Sequence, residues 1–198
     1  MVDGYPPVCR EDVYIVETVD GDRVSVELDG PENGRLVIML DEARRQLSTF
    51  EVVRSRLHVA MFRTLTIRAH RGLSPKSVVD ILGQLRVGSG LLVGDRTAGQ
   101  LAWDLAASQR GRFTGLVVLD CGHPGVPDVN GLIRDKDCGA VEVDTTALVS
   151  SKADDSVARS SRRHVNGEFR LVDFAGPRGS RHFTAQLVAE IVVRALSQ

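Results

Sequence analysis

Cysteine is scarce in this chain of 198 residues: only Cys9, Cys121 and Cys138 occur. They are widely separated, with no Cys-x-x-Cys pair and no histidine at zinc-like spacing, which argues against a disulfide scaffold and a zinc module. The thiols read as reduced ones in a cytoplasmic setting, and neither a metal nor a cofactor is expected. Lysine is nearly missing as well, at Lys76, Lys136 and Lys152 alone, and arginine supplies most of the 25 basic residues. Against 26 acidic residues these leave a formal charge of -1, so no global field recruits nucleic acid or an anionic membrane. No apolar run approaches the roughly 20 residues of a membrane span. Met1-Val2-Asp3-Gly4-Tyr5-Pro6-Pro7 lacks a basic segment followed by an apolar one and is not read as a secretory signal. Internal repeats, low-complexity tracts and linkers are also missing. A single domain over 1–198 is expected, with 1–12 an extended N-terminal segment and about 70% of the unfolded surface buried.

What the chain does have is a regular alternation. Val13 to Val19 and Arg23 to Leu28 are β-branched runs joined by Asp20-Gly21-Asp22, a hairpin signal because Asp-Gly tolerates positive φ. After the turn Pro31-Glu32-Asn33-Gly34, the continuous apolar run Leu36 to Leu40 predicts a strand covered on both faces. A helix is predicted over Ala43 to Leu57, a strand at Leu65 to Arg68, and a helix from Pro75 to Leu85 opened by Ser74 as cap. Gly90 to Val93 reads as a strand, Thr97 to Gln109 as a helix with Leu101 and Trp103 in the core, and Gly115 to Leu119 as another buried strand. Gly122, Pro124, Gly125, Pro127, Gly131 and Gly139 make 120–140 a loop. A strand over Val141 to Val149, a helix over Ala153 to Arg163 and a strand over Glu168 to Phe174 follow. The last helix, Phe183 to Leu196, carries an apolar stripe of Phe183, Leu187, Val188, Ile191 and Val192. The alternation predicts an α/β fold, a three-layer α/β/α sandwich on a mostly parallel sheet of about eight strands with an antiparallel N-terminal hairpin.

The most informative stretch is Leu91 to Ala102, where an apolar run meets a small-residue turn, Gly94-Asp95-Arg96-Thr97-Ala98-Gly99, and then a helix-like segment. A strand-to-helix elbow needs small residues on either side because the backbones crowd while the central side chain projects outward. Gly94 and Ala98 satisfy that demand. The chain thereby resembles the α/β-hydrolase family from about Val13 to the C-terminus. Gly21-Asp22-Arg23 in the opening hairpin, Gly115 to Asp120 after the elbow helix, and Gly179-Ser180-Arg181-His182-Phe183 before the last helix are similar to family segments. The resemblance implies a histidine at His182 and an acid at Asp155 or Asp154.

The departures from the family are as informative. Arg96 stands at the centre of the elbow, where a nucleophile belongs, and a guanidinium stays protonated and attacks no carbonyl. Asp41-Glu42 replaces the His-Gly pair that helps form an oxyanion hole, and two carboxylates would repel a developing oxyanion. The family's lid is reduced to the loop after Leu119, so a shallow or open pocket is expected. The reading is a hydrolase-like pseudoenzyme with no catalytic residues, acting through a protein partner, a homodimer built on an edge strand or the last helix, or a small anionic ligand; no nucleic acid and no membrane partner is expected. Ligand-binding candidates are Arg96, Thr97, Asp41, Glu42 and His182. Arg96 either pairs with Asp155, Asp41 or Glu42 or joins nearby backbone N–H groups in an anion pocket.

The competing reading is a hydrolase of ester or thioester bonds in which His182 and Asp155 activate water. Thr97 and Asp95 as nucleophiles would shift the elbow register onto bulkier residues, and Thr97 reads better as a helix cap. Cys121 near His123 reads as loop packing rather than a thiol nucleophile. Arg159, Arg162, Arg163 and His164 read as a solvated helix end. The pseudoenzyme reading predicts Arg96 locked in an acidic pair and no usable pocket. The hydrolase reading predicts a cavity joining Arg96 to His182.

Overall fold

The computed structural model describes residues 12–42 and 49–197. Eight strands form one sheet: β1 (Asp12–Glu17), β2 (Arg23–Asp29), β3 (Arg35–Glu42), β4 (Phe62–Ala69), β5 (Gly90–Asp95), β6 (Phe113–Leu119), β7 (Thr145–Val149) and β8 (Phe169–Asp173), ordered β1-β2-β4-β3-β5-β6-β7-β8. β1 and β2 form the antiparallel hairpin, β2 runs antiparallel to β4, and the remaining neighbours are parallel. Gly21 at φ +81° turns the hairpin, where the Thr18 N–H donates to the Asp22 carbonyl. The expected three-layer α/β/α sandwich is the architecture observed.

Five α-helices, α1 (Thr49–Val59), α2 (Pro75–Gln84), α3 (Arg96–Ser108), α4 (Lys152–Ser161) and α5 (Arg181–Leu196), cover the two sheet faces. One core sets Val78, Ile81 and Leu82 of α2, Leu101 and Trp103 of α3 and Ala158 of α4 against the sheet. The opposite core is built on Phe50, Val53 and Leu57 of α1 and Phe183, Leu187 and Ile191 of α5. The central strands need no polar face because helices lie on both sides: all five residues of β7 and the first five of β5 are buried. Ser74 accepts the Ser77 N–H at the start of α2, as its sequence predicts. The Ser74 and Ser77 hydroxyls also donate to Asp20, tying the hairpin turn to this helix.

Two boundaries and one helix face differ from expectation. Within 141–149 only Thr145–Val149 is a strand, and Val141 makes a single bridge to Val165. α5 begins at Arg181, so His182 lies in its first turn, because the Ser180 hydroxyl accepts the Phe183 N–H and caps the helix earlier. Its buried face keeps Phe183, Leu187 and Ile191 but includes Glu190 and Arg194, whereas Val188 and Val192 are half-buried. Arg194, 2% exposed, donates to Thr146 and Glu168, so a charged side chain occupies a place that apolar periodicity assigns to aliphatic ones. The first part of the helix expected from Ala43, the segment Tyr5-Pro6-Pro7-Val8 and Cys9 lie outside the described residues.

β5 enters α3 without a loop, and glycine makes that possible. A Cβ on Gly94 would stand 2.7 Å from the Ala98 carbonyl oxygen and 2.8 Å from the Gly99 Cα, and one on Gly99 would stand 2.4 Å from the Cys121 Sγ. Gly94 thus meets the small-residue demand read from the sequence, and Gly99 adds a second position at which strand and helix touch. Gly83 in α2 has nothing within 4 Å of a built Cβ. Gly94→Ala is expected to lower unfolding stability by about 1–3 kcal/mol through overpacking, while Gly83→Ala raises it by about 0.4–1 kcal/mol through chain entropy; urea unfolding of both variants checks the contrast.

Candidate functional site

Arg96, the first residue of α3, has φ +49°, a left-handed conformation that strains a non-glycine residue. Its side chain is exposed and makes no hydrogen bond or ion pair among the described residues. The expected acidic partners are occupied elsewhere. Asp41 lies opposite Arg68 in the parallel register of β3 and β4, and Arg68 Nη1 donates to it at 2.7 Å. Arg68 also binds Glu27, which Arg54 binds in turn. Asp155 accepts from Arg159 Nε at 2.7 Å, one helical turn along α4. Glu42 is engaged as well. Strand register thus pairs Asp41, and helical spacing pairs Asp155, with arginines other than Arg96.

His182 is exposed and has no hydrogen-bond partner among the described residues. Neither candidate acid meets it: Asp155 holds Arg159, and Asp154 holds Ser151 at the N-terminus of α4. Thr97 is exposed and does not cap α3; Asp95 stands at the N-cap, without a side-chain capping bond.

The arginine that gathers acids is Arg178, in the turn between β8 and α5. Its Nη1 and Nη2 donate to the two Asp95 carboxylate oxygens at 2.6 and 2.9 Å, and Nη2 also donates to Asp120. Asp120, at φ +47°, accepts the Ser150 N–H at 2.7 Å and the Ser150 hydroxyl at 2.8 Å. One guanidinium therefore joins the C-terminal ends of β5 and β6, and Asp120 extends the link to the end of β7. Burial opposes the charge on Arg178, but the hydrogen bonds and charges of Asp95 and Asp120 outweigh it and raise the guanidinium above its ordinary value. Arg178 also lies 5.7 Å from the centre of the Phe183 ring, which stacks on Phe174. Sequence reasoning missed this residue. The available signal was that Asp95 and Asp120 each follow a buried run, so two adjacent strand ends carry carboxylates that need a cation, while Gly176 and Gly179 bracket an arginine in the last loop.

Beside this clamp, a cleft of about 680 Å³ opens along α3. Thr97, Gln100, Leu101 and Asp104 line it at positions i, i+3, i+4 and i+7, a single helical face. His70 and Arg71, just after β4, and Glu42, at the end of β3, form polar parts of the wall. Arg134, from the loop after β6, reaches Asp104 at 3.3 Å. Burial raises the Asp104 pKa although Arg134 pulls the other way. Two of the expected ligand residues, Glu42 and Thr97, are on this wall; Arg96, Asp41 and His182 are not. Neither the expected absence of a pocket nor a cavity joining Arg96 to His182 describes this arrangement.

The first residues of the loop after β6 are packed down. Burial pushes the Cys121 thiol well above the ordinary range and Cys138 up to about 11, so both stay protonated at neutral pH. His123 is 1% exposed and keeps both ring nitrogens bonded, with Nδ1 accepting the Gly125 N–H and Nε2 donating to the Gly139 carbonyl. Its ring stacks on His164 at 4.3 Å and meets Trp103 edge-on. His164 is thus partly drawn into the interior rather than lying on the solvated helix end expected for it. Among the described residues no cluster of three or more His, Cys, Asp or Glu side chains is arranged to hold a metal, and no helix is long and apolar enough to cross a membrane.

No protein-family model and no curated protein matches the sequence. The structure is similar to that of an esterase from Exiguobacterium antarcticum, with a TM-score of 0.71 and 15% identity over 90% of this chain and 98% of the other. Carboxylesterase CesB from Bacillus subtilis gives 0.73 at 11% identity over 97% and 93% of the two chains. Epoxide hydrolase A from Mycobacterium thermoresistibile gives 0.72 at 10% identity over 95% and 98%. The chain has the α/β-hydrolase fold.

Arg178→Met removes the shared cation of two largely buried carboxylates and is expected to lower stability by about 2–4 kcal/mol, with part of the loss recovered when Asp95→Asn is added; chemical unfolding of both variants measures it. A second expectation concerns His123, held down to about 4 by burial first and by the nearby His164 and Arg134 charges. An unfolded-chain histidine titrates near 6.5, so acid favours the unfolded state: this stabilisation is complete above that pH and is lost as the pH falls through about 4, with on the order of 3 kcal/mol at stake. Urea unfolding between pH 7 and 4 is expected to be less pH-dependent in His123→Gln.

Proposed function

We propose that this α/β-hydrolase-fold chain has no hydrolytic chemistry and acts by binding a small ligand in the cleft along α3. The observation that carries this reading is the Arg178 clamp on Asp95 and Asp120, which commits the carboxylates at the strand ends to a structural ion pair. Neither carboxylate is then free to activate a nucleophile. In this reading Arg96 stands where a hydrolase of the fold carries its nucleophile, and its strained backbone keeps the elbow shape without a group able to attack. A water-activating route through His182 needs an acid to orient the imidazole, and Asp155 is held by Arg159 instead. The buried Asp41 charge at the end of β3 is also the wrong sign for stabilising an oxyanion.

The cleft supports the binding half of the proposal. Its volume is within the range of small-molecule sites, and it combines apolar walls with a few polar groups. The test is hydrolysis of short-chain and medium-chain aryl esters and thioesters by the wild-type protein and by His182→Ala. Equal rates at the buffer background are expected, and turnover that disappears with His182 overturns the non-catalytic reading.

A further inference from the structure

Several polar groups around the cleft along α3 already have partners within the protein. Asp104 is paired with Arg134, the His70 ring lies 3.5 Å from the Asp22 carboxylate, and Glu42 is engaged. Arg71 differs: it lines the cleft, is exposed, and meets no acidic partner among the described residues. It stands on the turn between β4 and α2, which brings to the cleft wall a guanidinium that has no acidic partner among the described residues. Apolar surface surrounds the same space, from Ala69 and Leu73 before α2, Pro75 in its first turn, and Ala98 and Leu101 of α3. From Thr97 to Asp104 the lining face of α3 extends about 10 Å along the helix axis.

We infer, building on the binding role proposed above, that the cleft takes a small amphipathic anion, with its carboxylate or phosphate head on Arg71 and its apolar body against Leu73, Pro75, Ala98 and Leu101. The physical reasons are complementary. A planar guanidinium offers paired donors to an oxyanion. The apolar body adds affinity by removing its own surface and that of the wall from water. An amine of the same shape would place a cation beside Arg71 and be rejected, and a neutral alcohol would gain only the apolar contribution.

Calorimetric titration of the full chain with octanoate, octyl phosphate, 1-octanol and octylamine tests this. At least one octyl anion is expected to bind tenfold or more tightly than 1-octanol, with octylamine weakest; preference between octanoate and octyl phosphate assigns the head group. Because Arg71 is exposed, its substitution leaves the fold intact: Arg71→Ala is expected to lose tenfold or more in anion affinity, Arg71→Lys to lose less because it keeps the charge but not the paired donors, and added salt to weaken binding. The inference is overturned if neither octyl anion binds, if 1-octanol binds as tightly, or if Arg71→Ala binds unchanged. Esterase assays on the same samples address the non-catalytic reading separately, since His182-dependent turnover would overturn that reading whatever the anion titration shows.

Discussion

Two carboxylates at the ends of adjacent central strands set the constraint around which the upper edge of this sheet is arranged. Asp95 and Asp120 close β5 and β6, where parallel strands deliver both side chains to the same edge. Left without a cation they would repel each other in a poorly hydrated space, and the cost of such a charge is several kcal/mol. Arg178 resolves it, and in doing so fastens the β8–α5 loop over the strand ends. Gly176 and Gly179, both at positive φ, bracket the short segment that lets the arginine turn inward. The start of α5 follows from there, capped by Ser180, with Phe183 against both the guanidinium and the Phe174 ring.

The clamp and the cleft divide the edge between them. Over β5 and β6 the space is taken by a structural ion pair, whereas the open volume lies on the side of β3, β4 and the first two turns of α3. The strained elbow connects the two regions. Gly94 and Gly99 let α3 start against the strand, which directs Thr97 and Gln100 to the cleft and leaves Arg96 in solvent. A fold shared with esterases and epoxide hydrolases thus presents here a concave surface next to a turn that carries Arg96, and function resides in the site and not in the fold. The loop after β6 adds a polar wall through Arg134 and is held in place by the buried His123.

The amino-acid sequence by itself determined the layers, the strand and helix alternation, the opening hairpin and the small-residue elbow, because these depend on short-range periodicity, glycine at tight approaches and capping residues such as Ser74. It also placed an arginine, Arg96, at the turn from β5 into α3. Tertiary structure alone decided which charges meet. Arg96 and Arg178 are equally basic on paper, and Asp41, Asp155 and Asp95 equally acidic; β3–β4 register gave Asp41 to Arg68, one turn of α4 gave Asp155 to Arg159, and loop closure across 83 residues brought Arg178 to Asp95. The cleft was invisible for the same reason: its wall combines segments from β3, β4, α3 and the loop after β6, and a cavity is a property of the space between elements, which no single run of residues encodes.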